Sequence, residues 1–334
     1  MAQAQVRFYP DWFFEQYGMV FGERYARDPA YRVRLDCEQQ RVVAERFGDV
    51  GLGSRDPKPE PNLRSVYKNL LAVMFGCRVT YSDRDDGWVE SAGRSAEALI
   101  GAGPMELKGN DFIAELDRQA QWFFKEYGPA VLNPGIDGIL NVAVIVCGEE
   151  FFALMSEDPA QAGAVLGALR ETAVRVHEHY HVRCGTSAPM GLGNCSLCMI
   201  RPETYATVVW PHDAVWYRRA QSLGLPFGFH MDGKIDRYLD VIKKIPYLHR
   251  VDMGCDSDVG LARRTLGNKI LRLYLYPHWL REMTPEQTGT FLRQRIQEAG
   301  SAGELVFQLD VCSGLRDETV RTVVQVCKET QNTP

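Results

Sequence analysis

The chain has 334 residues, a net charge of −5, a pI of about 5.9, and 45% hydrophobic against 24% charged residues. That length buries a large core without disulfide staples, and no basic stretch is dense enough to track a phosphate backbone, which argues against a nucleic-acid partner. The longest apolar run, GILNVAVIVCG, falls short of the roughly 20 residues a membrane span needs. The nine cysteines are odd in number and follow no secretory leader, so reduced thiols and a cytoplasmic location are expected.

Residues 1–101 read as an irregular and helical extension, rich in aromatics, with one helix from Pro29 to Phe47 and a Pro/Gly-rich connection, GLGSRDPKPEPN. DFIAELDRQAQWFFKEYG reads as helix and precedes a short apolar segment, AVLNPG. GILNVAVIVCGEEFFALM and a long amphipathic stretch, DPAQAGAVLGALRETAVRVHEHYHVR, follow. From there strand-like and helical segments alternate. GTSAPMGLGN, LPFGFHMDG, LHRVDMGC, KILRLYLYP and ELVFQLDVC are short apolar runs bounded by Gly or Pro. Between and after them, PETYATVVWPHDAVWYRRAQSLG, DRYLDVIKKIP, VGLARRTLGN, TPEQTGTFLRQRIQEAG and ETVRTVVQVCKET carry apolar residues three and four apart. Repeated strand–helix units mean parallel strands joined by crossovers. The expected fold is α/β: a single (β/α)8 TIM-barrel domain over residues 1–334, with residues 1–101 covering it. An open doubly wound sheet is the alternative.

In a βα barrel the chemistry gathers where strands end. Those positions carry Asn194 and Cys195, then His230 and Asp232, then Asp252 and Cys255, then Tyr276, and last Cys312. His230 and Asp232 are two apart in an extended segment and so aim the same way, and Gly233 lets the chain turn aside. Cys312 ends the final strand, which a closed barrel returns to the first. Imidazole, carboxylate and thiolate make a three-ligand zinc set with one open position. The bland alternative is a His–Asp hydrogen bond beside a buried thiol.

GFHMDGKIDRYLDVIKKIPYLHRVD resembles the H-x-C-G segment of the uroporphyrinogen-decarboxylase-like superfamily. VDMGCDSDVGLARRTLGNKILRLYLYPHWL is similar to the strand–helix–strand that follows, with its D-x-x-x-A-x-x-x-L-G pattern. ELVFQLDVCSGLRDETVRTVV resembles the closing strand, and IRPETYATVVWPHDAVW the helix with an S-P-E-x-Y pattern. GILNVAVIVCGEEFFALMSEDP is similar to an earlier strand and the helix start after it. In the zinc methyltransferase branch of that superfamily the His, the Cys of H-x-C-G and a closing-strand Cys bind zinc. The resemblance therefore implies His230, Asp232 and Cys312 as metal ligands and catalytic residues.

Two departures shape the expected activity. True decarboxylases carry an N-terminal M-R-Q-A-G-R segment that grips porphyrinogen carboxylates, whereas the matching WFFEQYG has no arginine, and Glu15 repels carboxylates. The family's zinc Cys is replaced by Asp232. A harder N/O/S set leaves zinc a stronger Lewis acid, suited to polarising an ether oxygen. The resemblance thus implies a zinc-dependent methyltransferase, like the methyltransferase component of O-demethylase systems. It would move a methyl group from a small methylated donor, with a methoxylated aromatic as one candidate, to the Co(I) corrinoid (cobalamin) of a partner protein. The chain has no D-x-H-x-x-G corrinoid motif of its own. The alternatives are a methylcobalamin-to-thiol methyltransferase, a metal-free decarboxylase of a tetrapyrrole or other acid, and a non-catalytic corrinoid-binding protein. A homodimer is the assembly the resemblance suggests.

Asn194, Cys195, Asp252, Cys255 and Tyr276 are the expected substrate-binding residues, with Tyr276 donating to a substrate oxygen and Cys255 the reserve zinc ligand. In the C-x-x-C of Cys195 and Cys198 no second pair stands at ribbon spacing, so Cys198 is expected to line the pocket or the core. His177, His179 and His181 cannot share one metal on a helix and are expected at a solvated helix end. Trp12, Phe13, Phe14 and Tyr17 are expected to pack over the barrel.

Overall fold

The computed structural model describes residues 1–61, 69–128, 136–184 and 190–331. Among them the strands are β1 (Ala2–Phe8), β2 (Arg78–Ser82), β3 (Asp85–Glu90), β4 (Met190–Gly193), β5 (Phe227–His230), β6 (Leu248–Gly254), β7 (Ile270–Leu275) and β8 (Leu305–Val311). The chain divides into two compact units. One comprises Met1–Met19, Asp36–Lys58 and Pro226–Pro334, and the other Val20–Leu35 and Pro59–Leu225.

The first unit is built on a parallel sheet in which β1 pairs with β8, β8 with β7, β7 with β6, and β6 with β5. The last strand therefore pairs along its length with the first. That first strand is Ala2–Phe8, inside the stretch read as irregular. Its alternating AQAQVRF was masked by small residues that carry little strand signal. The helices Val259–Leu266, Pro285–Ala299 and Asp317–Gln331 fall where the periodicity puts them. Pro285–Ala299 starts with a capping box, in which Thr284 Oγ1 accepts from Gln287 N at 3.3 Å and Gln287 Oε1 accepts from Thr284 N at 2.8 Å. DRYLDVIKKIP forms only a 3-10 turn and the short helix Leu239–Ile242.

The sheet's two faces differ in kind. In ILRLYL, Leu271, Leu273 and Leu275 are buried while Arg272 and Tyr274, on the other face, are half-buried. Phe307 and Leu309 of β8 and Phe229 of β5 are fully buried. Each such side chain contributes about 1.5–3 kcal/mol of transfer free energy. Trp12 and Phe13 are buried beside Phe8 and Phe47, with Trp12 and Phe8 ring centroids 4.6 Å apart, so these aromatics are core.

The second unit is mainly helical, with the antiparallel β2–β3 hairpin and the short strand β4. Helix Asp111–Tyr127 is capped by Asn110, whose Oδ1 accepts from Phe112 N and Ile113 N. AVLNPG lies outside the described residues, as do the first residues of GTSAPMGLGN. GILNVAVIVCGEEFFALM, matched to a strand by resemblance, instead forms the helices Ile139–Cys147 and Glu150–Glu157. A continuous apolar run has no period to distinguish the two, and burial on every side of Ile139, Leu140, Val142 and Val146 suits a core helix equally well. PETYATVVWPHDAVWYRRAQSLG is helical with a π segment, Tyr205–Val209, just before Pro211, which has no N–H for the preceding turn. The histidines of Pro159–Cys184 are not simply solvated. His177 stacks on His181 and meets Trp216, burial lowers its pKa to about 4, and His179 Nε2 lies 3.0 Å from Asp117. No single helix among the described residues is long and apolar enough to cross a membrane.

Candidate functional site

His230 is the last residue of β5, and Asp252 is its register partner on β6. Their side chains meet, with Nδ1 3.1 Å from Asp252 Oδ2. Asp252 is 1% exposed and is also held by Arg250 Nε at 2.7 Å and, more loosely, by Arg272 Nη1 at 3.5 Å. A buried carboxylate on Nδ1 fixes the ring and turns Nε2 outward. Nε2 lies 3.0 Å from Oδ1 of the exposed Asp232. The two-residue spacing thus brings His230 and Asp232 together. An imidazole between two carboxylates either carries a proton on each nitrogen or gives Nε2 to a cation.

Cys312 does not join them within 4.8 Å. It lies past the end of β8, where its Sγ donates to the Asp310 carbonyl at 3.5 Å and the turn closes through Leu315 N on Cys312 O. β8 is also three strand spacings from β5, on the order of 14 Å along the sheet. Burial, with Asp11 nearby, pushes the Cys312 thiol up to about 11. Cys255 is buried, and its thiol is likewise pushed up to about 11, chiefly by burial.

Tyr276, expected to serve a substrate oxygen, is already engaged. Its hydroxyl is 2.9 Å from both the Asp232 carbonyl and Asp256 Oδ1, so it positions the loop that carries Asp232. Burial and the adjacent Asp256 raise its pKa well above the usual phenol range. Gly254 lies beneath this contact, where a Cβ would collide with the Tyr276 hydroxyl and the Asp232 carbonyl. The tyrosine that faces His230 is Tyr274, two residues earlier, with ring centroids 5.0 Å apart and nearly edge-on.

The sequence reading also passed over the arginines that share this face. Arg7 on β1 forks onto Asp310 on β8, with Nε–Oδ1 3.1 Å and Nη2–Oδ2 2.8 Å. Arg250 extends over Gly228, where a Cβ would stand 2.9 Å from its Nη2, so the glycine makes room for the guanidinium. The signal was present in ILRLYL: Arg272 and Tyr274 alternate with leucines, as residues on the uncovered face of a strand must.

In the second unit, Asn194 is fully buried at the end of β4 and donates through Nδ2 to Asp213 Oδ2 at 3.1 Å. The Tyr205 hydroxyl also donates to that oxygen, at 3.1 Å, and lies 2.9 Å from the Tyr217 hydroxyl. Burial pushes the Asp213 carboxyl up to about 7 against the pull of these donors. Cys195 opens a 3-10 turn, Cys195–Met199, held by Asn141 Oδ1 accepting from Ser196 N at 2.8 Å. Cys198 is exposed, not core.

No family model matches the chain, and no curated protein matches it. Among solved structures, the chain is similar to a methyltransferase from Methanosarcina mazei, with a TM-score of 0.65 and 13% identity. The match covers 99% of this chain and 94% of that one. At that identity the likeness establishes a shared α/β fold.

Proposed function

We propose that this chain is a (β/α)8-barrel, zinc-dependent methyltransferase that takes a methyl group from a small methylated donor and delivers it to the Co(I) corrinoid of a partner protein. The observation that carries the reading is His230, clamped on Nδ1 by buried Asp252 and presenting Nε2 beside Asp232. That is how proteins hold a metal-binding imidazole, with an outer carboxylate fixing the tautomer. The imidazole and carboxylate of His230 and Asp232 are zinc-type donors, and the coordination positions they leave open suit a thiol and the leaving atom of the methyl donor. The shared fold with a methyltransferase supports the same reading.

Bound zinc would supply Lewis acidity toward the leaving atom of the donor. The chain's own residues do the rest. Asp252 orients His230, Tyr276 and Gly254 hold the Asp232 loop, and Tyr274 offers a hydroxyl beside the ring.

The test pairs metal analysis with turnover. The purified protein should contain stoichiometric zinc, lost in His230→Ala and Asp232→Ala and kept in Cys312→Ser. It should also methylate a Co(I) corrinoid protein from a methoxylated donor, followed by the cobalt absorption bands. Retention of zinc in His230→Ala, or no methyl transfer across a broad donor panel, would refute the reading.

A further inference from the structure

Among the described residues of the β1–β8–β7–β6–β5 sheet, the face that bears His230 also bears Arg7, Arg250 and Arg272, against the carboxylates of Asp252 and Asp310. Setting aside the His230–Asp232 pair, three guanidinium groups face two carboxylates. One positive charge is left over, and it lies where burial makes an uncompensated charge costly. Asp310 is fully used by the Arg7 fork and by Gln308 Nε2 at 2.8 Å. Asp252 accepts from Arg250 and His230 at short range, which leaves Arg272 only a 3.5 Å contact.

The unsatisfied groups on this face are donors. Arg272 Nε is buried without a partner. Arg250 spends only Nε on Asp252, and its remaining N–H groups extend over Gly228. The half-buried Tyr274 hydroxyl, beside His230, makes no hydrogen bond among the described residues. A ligand that answers this set brings acceptor oxygens and a single negative charge. A planar carboxylate matches the guanidinium fork in shape and charge, whereas a phosphate at neutral pH carries more charge than the face lacks.

We propose that the ligand bound beside His230 is a monocarboxylate, gripped by Arg272 and Arg250 with the Tyr274 hydroxyl donating to it. Its identification as the methyl donor, hence an acid bearing a methoxyl or similar methyl group, rests on the methyltransferase reading. Its binding does not.

Titration calorimetry with 4-methoxybenzoate, benzoate and acetate, each beside its neutral amide, tests this on the full chain, both zinc-loaded and chelator-treated. At least one acid should bind about tenfold or more tighter than its amide. Arg272→Gln should lose about tenfold of that affinity and Tyr274→Phe about three- to tenfold, with amide binding unchanged in both. Tyr274→Phe keeps the ring and removes only the hydroxyl, so it remains informative if Arg272→Gln does not fold by circular dichroism. Equal binding of acids and amides, no binding of any acid, tighter binding of inorganic phosphate, or wild-type affinity in Tyr274→Phe and in every folded Arg272 variant would each overturn the proposal. Acid binding that survives chelation in a protein that transfers no methyl group would leave this inference standing and the methyltransferase reading refuted.

Discussion

Replacing Asp213 by Asn should flatten the dependence of stability on pH. Asp213 is fully buried, and burial pushes its carboxyl up to about 7 from an ordinary value of 3.8. The folded protein therefore keeps the proton over a range in which the unfolded chain has lost it. The stability from this group is fully present below about pH 4 and is lost as pH rises through about 7. Between about pH 5 and pH 8.5 the folded group crosses its pKa while the unfolded one stays ionised, a loss on the order of 3 kcal/mol. Asn keeps the acceptor oxygen that takes the Asn194 and Tyr205 hydrogen bonds and carries no charge. Its new amide N–H group replaces Asp213 Oδ1, which has no partner, and that costs about 1–3 kcal/mol equally at both pH values. The difference between wild type and variant therefore isolates the titration. Urea unfolding at the two pH values, followed by tryptophan fluorescence, should show wild type losing on the order of 3 kcal/mol more than Asp213→Asn. Equal losses, or a larger loss in the variant, would mean that Asp213 is ionised in the fold and that the stated balance of burial against its donors is wrong.

Other substitutions probe the candidate site and its scaffold. Asp252→Asn should weaken zinc binding about 10- to 100-fold, read by competition with a chromogenic chelator, because the His230 ring loses its charged anchor. It should also lower stability by about 3 kcal/mol or more, since Arg250 and Arg272 are left facing a neutral group; a wild-type melting curve would contradict this. Gly254→Ala forces a methyl group against the Tyr276 hydroxyl and the Asp232 carbonyl, and should cost about 1–3 kcal/mol by thermal melting while weakening metal binding through the displaced Asp232 loop. Thr284→Ala removes the capping box of helix Pro285–Ala299 and should cost about 1 kcal/mol, largely recovered in Thr284→Ser, with no change in zinc content.

Where hydrophobic period and punctuation agree, the fold was legible in advance. KILRLYLYP alternates and ends at a proline, and TPEQTGTFLRQRIQEAG opens with a capping box and closes at Gly300, so both elements form where they were read. Legibility failed where the period is degenerate. Ile139–Cys147 is apolar at every position and lies equally well in a buried strand or a buried helix, and only its packing decides. β1 failed for the opposite reason. AQAQVRF alternates, but Ala and Gln are weak strand formers, and it is pairing with β8 over its whole length that makes it a strand.

The site divides along the same line between local and non-local information. His230 and Asp232 are two apart on one extended segment, so their convergence follows from backbone geometry alone. Asp252 was picked out because it lies at a strand end, but its role as the anchor of the imidazole depends on the β5–β6 register, which no spacing encodes. Cys312 was assigned from a motif position, and the turn beyond β8 sends its sulfur to the Asp310 carbonyl instead. The two tyrosines of β7 show what a strand-end rule misses. Tyr276 is at the mouth and Tyr274 one pleat deeper, so the rule favours Tyr276. Yet the loop after Asp232 takes the Tyr276 hydroxyl, and the deeper tyrosine is left with a donor to offer beside His230. The chemistry on this face therefore follows from which hydroxyls and guanidinium groups the fold has already paired, and the unpaired remainder, all donors with one excess positive charge, selects for an acid.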